Sequence, residues 1–131
     1  MDRDKAIETL TGLFTTELSV ICAYLFGSVA RGEQGLASDV DIAVLFDSPP
    51  PRTLLGPVSR LQDKIEKALS TGIDLVVLNH AGPDLVHRVL RDGILICDRD
   101  PGRRVLFEVQ SRNEYFDIQP YLVEYRKGQA G

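Results

Sequence analysis

The chain has 131 residues, 44% of them hydrophobic and 26% charged, with a formal net charge of -4 and a pI of about 5.1. A single domain, residues 1-131, is expected at this length, and it can bury about two-thirds of its unfolded surface. The acidic balance excludes the broad positive field that holds a nucleic-acid backbone by counterion release, so no stable nucleic-acid binding is expected. The amino terminus, MDRDKAIETL, carries acids and no apolar signal region, and no apolar stretch is long enough to span a bilayer. A cytoplasmic protein without membrane association is expected. Cys22 and Cys97 lie in the apolar runs VICAYLF and ILICD, away from any metal-ligand spacing, and read as reduced core residues.

Residues 3-17 repeat apolar positions at helical spacing (Ala6, Ile7, Leu10, Leu13, Phe14) and predict an amphipathic helix. Val20 to Phe26 reads as a buried strand. Gly27-Ser28 ends it and opens a short helical turn that Gly32 closes, followed by a loop over Glu33 to Ser38. Asp39 to Phe46 is a second strand, stopped by SPPPR (Ser48 to Arg52), whose prolines cannot donate to a ladder. Leu54 to Leu69 is a second helix that turns Leu61, Ile65, Ala68 and Leu69 inward and is ended by Gly72. Ile73 to Leu78 is a third strand, Pro83 to Arg91 a short helix with proline in its first turn, and Ile94 to Cys97 a fourth strand. Arg103 to about Lys127 reads as helical, with a break or kink before Pro120.

This alternation predicts an α/β (α+β) domain: a mixed sheet of about four strands, helices packed on it, and a C-terminal helical segment over about residues 103-127. The catalytic core falls at about residues 20-98. If Ser28 at the exit of the first strand and Asp39 at the start of the second serve one site, those strands run antiparallel. The helical crossover to the third strand suits a parallel neighbour. Asp39, Asp41 and Asp74 then converge at one end of the sheet. Asp47 and Asp98 follow their strands and fall at the other edge.

Alternation in a strand puts Asp39 and Asp41 on one side. Two full charges about 6 Å apart at an effective dielectric of about 20 cost on the order of 3 kcal/mol, and a third carboxylate adds to that. Mg²⁺ is the natural compensation, being a hard cation that takes carboxylates, waters and substrate phosphates. Two such ions form the clamp for in-line displacement at phosphorus. The Gly27-Ser28 turn suits a phosphate, since glycine permits close backbone approach and serine adds a hydroxyl donor. Taken singly, an Asp pair ahead of a strand is ordinary loop solvation, Gly-Ser an ordinary turn, and "TGID" an ordinary approach to a strand. Their joint spacing argues for a site.

Gly27-Ser28, ten intervening residues, Asp39-Val40-Asp41 and a later Asp74 in an apolar strand resemble the signature of the DNA polymerase β-type nucleotidyltransferase superfamily. Within it, "GSVARGEQGLASDVDIAVLF" is most similar to the minimal nucleotidyltransferases, over Tyr24 to Leu78. The resemblance implies ATP as substrate and two Mg²⁺ ions. Asp39 and Asp41 would ligate both ions, and Asp74 the one nearer the acceptor, helping to deprotonate it. Gly27 and Ser28 would hold the triphosphate. Arg31 matches the arginine of the G-S-x-A-R-G variant, and both a phosphate contact and a salt bridge to a nearby acid stay open for it.

A template-dependent polymerase or a tRNA- or poly(A)-extending enzyme needs further domains, which a net-acidic chain of 131 residues is not expected to hold. The C-terminal segment holds Phe107, Tyr115, Phe116, Tyr121 and Tyr125, five of nine aromatics, and reads either as a helix capping the sheet or as a partner surface. Its "YFDIQPYLVEY" resembles the end of MntA-type antitoxins, which pair with HEPN-domain toxins. That resemblance implies transfer of AMP from ATP to a tyrosine of a HEPN RNase toxin, and leaves a homo- or hetero-oligomer open. Neutralisation by binding alone and transfer to a small molecule such as an aminoglycoside are the alternatives. His80 and His87 read as exposed polar residues. Arg103-Arg104 reads as a solvated pair or a contact to an acidic partner, and SPPPR as a rigid loop.

Overall fold

The computed structural model describes residues 2-33, 39-52 and 56-130. In chain order it contains α1 (Arg3–Phe14), β1 (Val20–Phe26), α2 (Gly27–Ala30), β2 (Val40–Phe46), α3 (Pro57–Leu69), β3 (Ile73–Val77), α4 (Pro83–Asp92), β4 (Ile94–Asp98) and α5 (Pro101–Ala130). The four strands form one mixed sheet in the order β3-β2-β1-β4. β1 runs antiparallel to β2 and to β4, whereas β2 and β3 are parallel, as the α3 crossover requires. The expected α/β fold with a mixed sheet and a C-terminal helical segment is the fold observed.

Each face of the sheet has its own apolar layer. Leu10 and Phe14 of α1 and Leu61 and Ile65 of α3 pack with Leu25, Ile42 and Val44 on one face. Val86 and Val89 of α4 and Phe107 of α5 meet Cys22, Tyr24, Ala43 and Leu45 on the other. β1 and β2, central and covered on both sides, therefore read as nearly unbroken apolar runs. The exception is Asp41, which sits only part-buried near the start of β2. At the opposite end of β2 the side chain of Asn79 closes the ladder. Its Nδ2 donates to the Phe46 carbonyl at 3.0 Å and its Oδ1 accepts from the Phe46 N–H at 2.9 Å, so an amide side chain serves as one more strand residue.

Several expectations change. Leu54 and the loop over Gln34 to Ser38 lie outside the described residues, and the second long helix is described from Pro57. Its end is set by Ser70, which adopts φ 54° directly after Leu69, not by Gly72: the left-handed step falls one residue past the last buried side chain. Ala68 faces solvent, because the inward stripe runs Leu61, Ile65, Leu69 at strict i,i+4 spacing. No break precedes Pro120, and α5 continues through it. Proline removes one helical N–H, but Phe116, four residues earlier, is exposed, where water can meet its carbonyl.

Other isolated residues are engaged within the chain. His80 shares a 3.0 Å hydrogen bond with the Pro50 carbonyl. His87 stacks on Tyr115 with ring centroids 3.7 Å apart and planes 2° from parallel. Neither is the free surface histidine expected. Arg104 pairs with Asp98 at 2.9 Å and Glu108 at 3.2 Å, while Arg103 donates to the Asp47 carbonyl. Cys22 is buried and Cys97 part-buried, and both are free thiols.

Candidate active site

The residues that the spacing grouped meet at the end of the sheet where β1 finishes and β2 and β3 begin. Phe26 is the register partner of Asp41 across the antiparallel pair, and Asp41 is the partner of Asp74 across the parallel one. Directly after Phe26 the chain turns up at Gly27, with φ +74°, into the four-residue α2. The Glu33 N–H donates to the Ser28 carbonyl at 2.9 Å, and Gly32 closes the turn at φ +75°. Gly27 is required sterically as well. A Cβ there would lie 2.9 Å from Asp41 Cγ and overlap its Oδ2, so only glycine lets this turn sit against the carboxylate.

A cleft of about 510 Å³ opens at this point, with Asp41 and Asp74 from the strand starts, Gly27, Ser28 and Arg31 from the turn, and Leu85, Arg88 and Asp92 from α4. Asp39 stands just outside it. It is exposed, and its Oδ1 lies 3.0 Å from where a Cβ on Gly72 would be. Both other acids still act on Asp41: burial first, then the charges of Asp74 and Asp39, raise its carboxyl above the ordinary value, with Arg31 and Arg88 opposing. Neither the Asp41 nor the Asp74 carboxylate takes a hydrogen bond from the described residues.

Among the described residues no three His, Cys, Asp or Glu side chains form a ready-made metal cage. A pair of hard, unpaired carboxylates with a third nearby is nonetheless the donor set that Mg²⁺ accepts, since this ion keeps waters and completes its shell with substrate phosphate. Of the two readings left open for Arg31, the salt bridge is present, to Glu33 at 3.3 Å, and the side chain also lines the cleft. Asp47, directly after β2, and Asp98, the last residue of β4 rather than the residue after it, stand at the other edge, as expected. Arg88 and Asp92 were not legible in the sequence: "PDLVHRVLRD" is an amphipathic helix like many others, and only the packing of α4 brings one side of it over the strand starts.

The polymerase beta nucleotidyltransferase family matches residues 8–102, and the chain belongs to it. It is a nucleotidyltransferase of the minimal type, related to MntA antitoxins. Over 72 residues it is 38% identical to a candidate protein adenylyltransferase of Methanocaldococcus jannaschii, covering 55% of this chain and 74% of that protein. Over 72 residues it is 39% identical to the protein adenylyltransferase MntA of Shewanella oneidensis, covering 53% of this chain and 48% of that protein, so the likeness spans only about half of MntA. A chain of a toxin–antitoxin complex crystallised with AMP-PNP superposes with a TM-score of 0.81 and 25% identity, over 95% of this chain and 98% of that one. No helix among the described residues is long and apolar enough to cross a membrane.

Proposed function

We propose that this chain is a Mg²⁺-dependent protein adenylyltransferase that moves AMP from ATP to a tyrosine hydroxyl of a HEPN-type RNase toxin and so acts as its antitoxin in the cytoplasm. The observation that carries the reading is the pairing of Asp41 with Asp74 beside the Gly27–Ser28 turn in one open cleft. The protein adenylyltransferases to which the chain is similar, and the toxin–antitoxin complex with an ATP analogue, supply the nucleotide and the class of acceptor.

Asp39, Asp41 and Asp74 are the residues that would hold Mg²⁺, which supplies charge neutralisation and a lowered pKa for the attacking hydroxyl. Gly27 and Ser28 orient the triphosphate so that the tyrosine oxygen approaches the α-phosphorus in line. The new bond joins that oxygen to the α-phosphorus, and the bond to the bridging oxygen breaks, releasing pyrophosphate. Asp74, the more exposed of the pair, would take the phenolic proton. The cleft stands open, as a site must if its acceptor is a side chain on another protein.

The test is to incubate the chain with its toxin partner, ATP and Mg²⁺ and weigh the toxin by mass spectrometry. Addition of AMP is expected, and Asp39→Asn and Asp41→Asn are expected to abolish it while circular dichroism stays that of the parent. An unmodified but inhibited toxin would replace this reading with neutralisation by binding alone. An unmodified toxin with pyrophosphate released on an added metabolite would replace it with small-molecule transfer.

A further inference from the structure

We propose that Arg88 binds the β- and γ-phosphates of the triphosphate, the part that leaves as pyrophosphate; this rests on the reading of the cleft as an ATP site. Leu85, Arg88 and Asp92 recur on α4 at helical spacing, and all three line the cleft. Arg88 is exposed and, among the described residues, makes neither a hydrogen bond nor an ion pair.

That isolation is notable because acids surround it. Asp84 and Asp92 stand at i−4 and i+4, the positions where a helical ion pair forms most readily. Both are taken by other arginines: Asp84 by Arg126 at 3.5 Å, and Asp92 by Arg91 through two bonds of 3.0 Å. The cleft's second guanidinium, Arg31, has its own acid in Glu33. Arg88 is thus the one cleft cation without a hydrogen-bonded partner among the described residues.

Arg88 and Asp41 line the same cleft, and the charge of Arg88 reaches Asp41 without a hydrogen bond between them. A guanidinium presents a planar fork of donors that matches two phosphate oxygens. With the α-phosphorus at the Asp41 and Asp74 pair, the next phosphates along the chain are the anions within its reach. The bland alternative is that Arg88 only softens repulsion among the cleft acids through its field.

Isothermal titration of the full chain with ATP and with AMP, in Mg²⁺, separates these. Because Arg88 is exposed and has no hydrogen-bonded partner among the described residues, Arg88→Gln should fold as the parent does. It should bind ATP about 10- to 100-fold more weakly, the loss expected for a charge-assisted bond, with AMP affinity within about twofold of the parent. Arg88→Lys, which keeps the charge but not the fork, should recover only part of the ATP affinity. The proposal is overturned if Arg88→Gln binds ATP as the parent does, if it weakens ATP and AMP equally, or if Arg88→Lys restores full affinity, which a field effect alone predicts. A parent chain that binds neither nucleotide would instead overturn the reading of the cleft, and the role of Arg88 with it.

Discussion

Gly27 and Asp41 are mutually dependent: the carboxylate occupies the space in which a side chain on residue 27 would start, and the backbone of residue 27 adopts φ +74°. Gly27→Ala therefore meets two penalties. The left-handed conformation costs about 1–2 kcal/mol in a residue with a Cβ, and the new methyl displaces Asp41. Urea unfolding should show at least that loss, and AMP transfer should fall with it. A variant with parental stability and transfer would mean that the turn relaxes freely and that the contact does not organise the site.

Asp41 should be a residue that the fold tolerates at a cost. Burial, then Asp74 and Asp39, raise its carboxyl above the ordinary value, so the folded chain holds that proton more tightly than the unfolded chain does. The stabilising contribution is complete below the ordinary carboxylate range and is lost as pH rises through the raised value. Asp41→Asn removes the charged form, so its Tm at about pH 7 should exceed the parent's, and the gap should narrow toward about pH 4. Thermal melts across this range check the sign, and a variant less stable than the parent at neutral pH would contradict it.

Tyr24 ties the sheet to α5. Its hydroxyl donates to Glu108 Oε1 at 2.7 Å, which Arg104 also meets at 3.2 Å. Tyr24→Phe removes one donor from a part-buried carboxylate and should cost about 1.5–3 kcal/mol, the range for a hydrogen bond to a charged group. Amide exchange should rise first in the turns of α5 around Arg104 and Glu108. Loss of stability without faster exchange in α5 would place the effect elsewhere.

Cys22 lies beside this contact, its Sγ 3.9 Å from the Tyr24 hydroxyl. Burial, partly offset by that hydrogen bond, pushes its thiol up to about 12. Only about one molecule in 10⁴ then carries the thiolate at about pH 8. Cys22 should resist a thiol-disulfide reagent in the native chain and react once urea is added, which peptide mapping can follow. Rapid labelling of native Cys22 would show that the Tyr24 layer opens.

The amino-acid order alone determined the strands and the acids and turn at their ends. Alternation and apolar runs mark β1 and β2, and the distance from Gly27-Ser28 to Asp39 and Asp41 places a tight turn beside paired acids. Such patterns survive in one dimension because each is set by residues close together in the chain. Tertiary packing decided the rest. It laid α4 across the strand starts, bringing Arg88 and Asp92 into the cleft. It stacked His87 on Tyr115, paired Tyr24 with Glu108, and left Asp39 beside the cleft, over Gly72. Helical periodicity states which residues share a face, but the surface that face meets depends on how the crossovers pack both sides of the sheet, and that balance of buried area is a property of the whole chain.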